Sequence, residues 1–138
     1  MEAGQKGDAG ESLRWLCLHG EDKNGRWMFW LQSGEIHGGA VGGFQWRRLD
    51  DGARVDRRYR KLRSDQIKLP IPLRLGMNAA ELRSLLGAPR GRTENLQEFR
   101  HEHHEQMEEV NLTVSNTANI LLTNEAVSAI EVWQYAVN

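Results

Sequence analysis

The chain has 138 residues, 39% of them apolar and 27% charged, with a formal net charge of −1 and a single cysteine, Cys17. That size suits one domain able to bury roughly two-thirds of its unfolded surface, and the apolar content excludes wholesale disorder. A lone cysteine excludes an intramolecular disulfide scaffold, and no apolar run approaches the roughly 20 residues of a membrane-spanning helix.

Residues 1–11 (MEAGQKGDAGE) are rich in glycine and charge and predict a disordered tail, followed by one α+β domain over residues 12–138. Met1 to Ser12 contains no apolar stretch of the signal-peptide kind, so a cytoplasmic location is expected. From Leu13 the pattern turns to strands. Leu13, Trp15 and Cys17 alternate with Arg14, Leu16 and Leu18, and Arg26 to Gln32 sets Trp27, Phe29 and Leu31 against Met28 and Trp30. Asn24-Gly25 between them is a pair favoured in tight hairpins, because both residues tolerate φ > 0. The second run is apolar on both faces and predicts a central strand.

GEIHGGAVGGF holds five glycines in eleven residues. A phosphate-cradling loop sits between a strand and a helix, whereas here the next run, Phe44 to Leu49, is strand-like; a flexible connection or a pair of bulges is expected. Residues 47–63 contain eight Arg or Lys with three Asp and Tyr59. Such a run could contact nucleic acid as an adaptor, but a solvated hairpin about Asp50-Asp51-Gly52 is the favoured reading. Residues 12–68 thus form a strand-rich half.

Residues 69–89 (LPIPLRLGMNAAELRSLLGAP) carry the clearest local signal. Asn78 is an N-cap with Glu81 three residues on, the spacing of a reciprocal capping pair, and Met77 and Leu82 are spaced as a hydrophobic staple. Leu82, Leu85 and Leu86 make one apolar stripe, Gly87 fits the position after the helix, and Pro89 forbids continuation. A helix this short is unstable alone, so the stripe must lie on a sheet. Strands follow: Leu96 to His104 with Phe99 as anchor, Val110 to Ser115, Ile120 to Thr123, and Val127 to Val137 after a turn at Asn124-Glu125. The expected fold is one short helix on a curved, mainly antiparallel sheet of about six to eight strands, residues 69–138 forming a helix-plus-strands unit.

Charge is unevenly placed. Residues 1–93 carry seventeen Lys or Arg against eleven Asp or Glu, and residues 94–138 carry only Arg100 against eight Glu. Either the halves neutralise each other or they present surfaces of opposite sign to a partner.

Catalytic patterns fail at named positions. In Phe99-Arg-His-Glu-His-His-Glu-Gln-Met107 the residue four after His101 is Glu105, which breaks the zinc-protease spacing. On a strand, His101 and His103 share a face and could be two metal ligands of a hydrolase; the favoured reading is an edge strand whose charge blocks pairing. Cys17 sits in an apolar run as a buried thiol, and no serine lies in a nucleophile elbow. No cofactor, resident metal or catalytic residue is expected. Carboxylates around aromatic anchors suit a basic protein surface, which places partner binding at Phe99, His101, Glu102, His103, Glu105, Glu108, Glu109, Trp133 and Tyr135.

Leu75-Gly76-Met77, Glu81-Leu82 and Leu85-Leu86-Gly87-Ala88-Pro89, followed by strands, resemble the helix-plus-strands unit of β-lactamase-inhibitor-like domains. In those a short helix packs across an antiparallel sheet whose other face binds partners. This chain has one such unit rather than a tandem pair, and no export signal. With GGAVGGFQW and Ala129-Ile-Glu-Val-Trp133, the whole chain is similar to small cytoplasmic immunity proteins encoded beside bacterial antagonism toxins of type VI secretion and related systems. The resemblance implies a non-enzymatic protein that binds a cognate toxin acting in the cytosol and occludes its active site, without membrane association.

Overall fold

In the computed structural model, which describes residues 2–6, 12–33, 41–69 and 71–137, the alternating runs become nine strands of one mainly antiparallel sheet. β1 (Glu2–Lys6), β2 (Ser12–Asp22), β3 (Gly25–Ser33) and β4 (Val41–Arg48) form one meander. β6 (Gly91–Thr93), β7 (Leu96–Met107), β8 (Val110–Thr123) and β9 (Ala126–Val137) form a second. Antiparallel pairing of β4 with β9 joins them in the order β1-β2-β3-β4-β9-β8-β7-β6, and the two-residue β5 (Arg60–Lys61) adds parallel to β2.

Tight turns set these registers. Asp22 faces Gly25 across the two-residue loop Lys23-Asn24, one residue earlier than Asn24-Gly25, with the Asn24 amide donating to Asp22 Oδ1 (2.8 Å) and Gly25 at φ 127°. Asn124 and Glu125 take φ 51° and 64°, the paired left-handed conformation that matches strand twist in a two-residue hairpin.

One face of this sheet is buried. Trp27 and Phe29 of β3, Trp46 of β4, Phe99 of β7, Ile120 and Leu122 of β8, and Val127 and Ile130 of β9 share it. Trp46 packs edge-on against both Trp27 (6.0 Å) and Phe29 (5.9 Å). Segment 49–90 supplies the cover. It leaves β4 where the Arg26 guanidinium donates to the carbonyls of Ala53 (2.7 Å) and Asp50 (3.2 Å), and Tyr59 reaches the buried Cys17. It then passes the β2 edge as β5 and lays Leu73, Leu75 and Met77 on the core. Two main-chain bonds pin it there: Gly76 N–H to Val127 O and Val127 N–H to Met77 O, both 2.8 Å.

The helix, α1 (Ala79–Leu86), begins as its sequence dictates. Asn78 Oδ1 accepts from the Glu81 amide (2.8 Å), Leu82 is fully buried, and Gly87 closes the helix at φ 80°. Glu81's carboxylate turns to Arg74 (3.1 Å), so the cap shown is Asn78's own side chain.

Four sequence readings change. Glu2–Lys6, expected within a disordered tail, pair with Ser12–Leu16, because extended backbone there completes the upper edge of β2. The expected hairpin about Asp50-Asp51-Gly52 is a crossover segment instead. The runs at Val110 and Ile120 are one continuous β8 through Asn116–Asn119. With β1 and β5 the strand count rises to nine. The glycine-rich residues 34–40, including His37, lie outside the described residues.

Arg48 grips Asp22 through two hydrogen bonds of 2.7 and 2.8 Å. Burial raises the Asp22 carboxyl, but these bonds, the Asn24 amide and nearby positive charge outweigh it and hold it below its ordinary value. Asp56 is held down to about 2, chiefly by the Arg58 side chain and amide. Carboxyls lowered in the fold contribute stability above the ordinary carboxylate value and lose it as pH falls through their folded values. The melting temperature is therefore expected to drop as pH falls from about 4 to about 2, and Asp22→Asn should flatten that slope in thermal melts. At neutral pH, Leu82→Ala should cost about 2–5 kcal/mol by denaturant unfolding, and Asn78→Ala about 1 kcal/mol.

Candidate functional site

The covering segment closes the core face, and on the opposite, outer face its Tyr59 reaches Cys17, where Cys17 and Met28 are buried. On that face the register brings up Trp30 of β3, Gly43, Gln45 and Arg47 of β4, Glu131, Trp133 and Tyr135 of β9, Ser115, Thr117 and Leu121 of β8, and Leu96, Glu98, Arg100 and Glu102 of β7. Leu96, Leu121 and Tyr135 are large apolar groups exposed by 40–47%.

Gly43 lies opposite Trp133, and a Cβ built on it would meet Trp133 Cε3 and the Val132 carbonyl oxygen, each at 2.5 Å. The missing side chain is what lets the indole lie across β4. Beside it, Gln45 Nε2 donates to Glu131 Oε2 (3.3 Å), and the Arg47 guanidinium stands 5.0 Å from the centre of the Trp30 ring. Arg100 sits between Glu98 and Glu102 at 3.8 Å from each. Beneath these chains the Ser115 and Thr117 hydroxyls are buried without a hydrogen-bond partner among the described residues.

The expected partner-binding residues fall into three places. Glu102, Trp133 and Tyr135 share the outer face. His101, His103 and Glu105 are on the covered side, His101 lining a cavity with Leu86 and Ala88. Glu108 and Glu109 make the exposed β7–β8 turn, Glu108 at φ 53°. Phe99 is 7% exposed and belongs to the core, where it floors a cavity of about 350 Å³ with Leu73, Leu86, Ala118 and Val132. Alternation along β7 separates neighbours in sequence onto opposite faces, so one strand cannot present all of them to one partner surface.

His103 Nε2 and Glu105 Oε1 are 2.9 Å apart, and the His101 and His103 rings are 6.1 Å apart. No cluster of three His, Cys, Asp or Glu suited to a metal exists among the described residues. In the basic run, Arg48, Arg58 and Arg63 are each paired with an Asp. Sequence reasoning missed Trp30, Gly43, Arg47 and Glu131. Trp30 alternates with core residues and so read as buried, and only the β3–β4 register reveals its basic neighbour.

All seven ion pairs among the described residues join groups within residues 1–93 or within 94–138; none crosses between them. The positive excess of the sequence lies in the covering segment and β6, residues 49–93, with eleven Lys or Arg against five Asp or Glu, whereas residues 1–48, which form β1–β4, carry six of each. No helix among the described residues is long and apolar enough to cross a membrane.

Gly43→Ala is expected to displace Trp133 and cost about 1–3 kcal/mol, because the Val132 carbonyl cannot yield. A red-shifted tryptophan emission with a lowered denaturation midpoint would show it, and unchanged fluorescence would mean that the indole does not need this glycine.

Comparison with known proteins finds no match, neither a protein family nor a curated protein or solved structure significantly similar to the chain.

Proposed function

We propose that this chain is an immunity protein that binds a bacterial antagonism toxin, of the type VI or a related kind, in the cytosol and blocks its active site. The observation that carries the reading is the acidic excess of residues 94–138, which form β7–β9: eight Glu against Arg100, with no ion pair to residues 1–93 among the described residues. A cleft that binds nucleotide or nucleic acid is basic, and an acidic surface both steers toward it and competes for it.

The outer face of β7–β9 is the docking surface. It is uncovered by the chain's own layer and combines Glu98, Glu102 and Glu131 with Trp133 and the exposed Tyr135. Aromatic anchors within a carboxylate rim are the composition of an interface centre. The resemblance of the helix-plus-strands unit to inhibitor-like domains, which bind through the sheet face away from the helix, supports the same surface. Covered-side His101, His103 and Glu105 are set apart from it, and the β7–β8 turn with Glu108 and Glu109 extends its acidic rim.

The test is co-expression with the product of the adjacent reading frame. A one-to-one complex that relieves growth arrest by that product is expected. Replacing Glu102 and Glu131 with Lys and Tyr135 with Ala should weaken the Kd by more than about tenfold in titration calorimetry. Unchanged affinity removes the outer face as the docking site, and failure to form any complex removes the immunity reading.

A further inference from the structure

The acidic end of the sheet finishes on a strand too short to close it. β6 pairs with β7 only over Leu96–Glu98, and the Arg90 amide donating to Glu98 O (2.7 Å) ends that contact. From Arg100 to Met107, β7 has β8 on one side and no described main chain on the other. A row of free N–H and C=O groups of this length is a template for another strand. What it accepts is set by the side chains that would lie opposite.

Their order is self-complementary. Reading outward from His103, the flanking positions are Glu102 and His104, then His101 and Glu105, then Arg100 and Gln106. We propose that a second copy of this chain pairs antiparallel with this edge, about a twofold axis at His103. In that register each Glu102 faces His104 of the second copy, each His101 faces Glu105, and each Arg100 faces Gln106. Across Arg100–Gln106 every carboxylate meets an imidazole and no two carboxylates meet; the two His103 face each other at the axis, and Glu108 comes level with Glu98, whose edge β6 already occupies.

The alternatives are worse for stated reasons. Slips by one residue place side chains on the wrong faces. Centring on Glu102 opposes two carboxylates, and centring on His101 drives the incoming strand into β6. Centring on His104 shortens the paired stretch and leaves Glu102 against Gln106.

A second feature comes from the same register without being used to choose it. The β7–β8 turn of the second copy arrives where β6 begins, bringing Glu108 and Glu109 against Arg90, with Arg92 just beyond. Arg90 and Arg92 are exposed and have no ion pair among the described residues. Position 107 of the second copy then lies opposite Phe99, beside the apolar cavity that Phe99 floors. A strand from an unrelated partner would have to reproduce both this charge order and an acidic turn at its end. The pairing goes beyond the immunity reading and does not depend on it.

Sedimentation velocity of the full chain across the micromolar range tests this. A dimer is expected; a monomer throughout overturns the proposal. Glu102→Lys with Glu105→Lys sets ammonium groups against His104 and His101 and should weaken the dimer at least about tenfold. Adding His101→Glu and His104→Glu should restore it with opposite polarity. A dimer indifferent to the first pair, or not restored by the second, overturns the register. Should the β7 variants fail to fold by circular dichroism, Arg90→Glu serves at an exposed position. It should weaken the dimer, and adding Glu108→Lys and Glu109→Lys should recover it; no effect of Arg90→Glu overturns the proposal.

Discussion

Two main-chain hydrogen bonds, from Gly76 N–H to Val127 O and from Val127 N–H to Met77 O, fasten the covering segment to the sheet, and the core depends on that attachment. The sheet alone is a single layer, and a single layer cannot exclude water from Trp27, Phe29, Trp46 and Ile130. Segment 49–90 becomes the second layer because it is held at both ends. At one end β5 and the Leu62 amide dock on β2; at the other, Gly76 and Met77 dock on β9. Between them Leu73, Leu75, Met77 and Leu82 are spread across the buried face. The helix adds a turn and a half of apolar stripe to this layer rather than constituting it.

The helix is a small part of the cover, and this shapes the surface. The 14 residues of β8 span roughly 45 Å, whereas the eight of α1 span roughly 12 Å. The long strands therefore run past the helix. On the outer face Tyr59 reaches the buried Cys17 of β2, and Trp133 of β9 is shielded by lying down on β4 where Gly43 has no side chain. Apolar area exposed in this way costs solubility unless it is charged at its margin or occupied. Here Glu98, Arg100, Glu102, Glu131 and Arg47 form that margin.

The elements set by local chemistry were legible in the sequence. Asn78 as N-cap, Gly87 as terminator and Asn124-Glu125 as turn are decided by residues within a few positions of one another, and the fold keeps each of them, with Met77 and Leu82 both buried in the core. What escaped depends on partners distant in the chain. Period-2 alternation in β7 shows that His101 and Glu102 point opposite ways, but not which one shares a side with the core. Phe99 supplies the answer by packing with Ala118 and Ile120, residues whose own register comes from β9. Trp30 read as buried for the same reason: its burial depends on whether anything covers the outer face. The polar stretch Asn116–Asn119 looked like a break between strands, yet it continues β8 because β7 and β9 satisfy its main chain on both sides.

The seam between β4 and β9 explains why the charge asymmetry survives folding. Facing pairs there are Gly43 with Trp133, Phe44 with Val132, Gln45 with Glu131, Trp46 with Ile130 and Arg47 with Ala129. Only one of these, Gln45 with Glu131, is a polar contact, and it pairs a carboxylate with a neutral amide. The join is therefore made by packing and main-chain bonds, and the acidic charge of β7–β9 is not neutralised across it. Unneutralised charge of this kind produces a field that reaches about a Debye length into solvent instead of collapsing into local pairs. Edge pairing of two copies at β7 would place the acidic β7–β9 strands at the centre of one continuous sheet and the charge-balanced β1–β4 meanders at its ends. His–Glu alternation across the edge is what makes that central concentration of carboxylates tolerable, and the outer face it would build carries twice the aromatic and acidic surface of one chain.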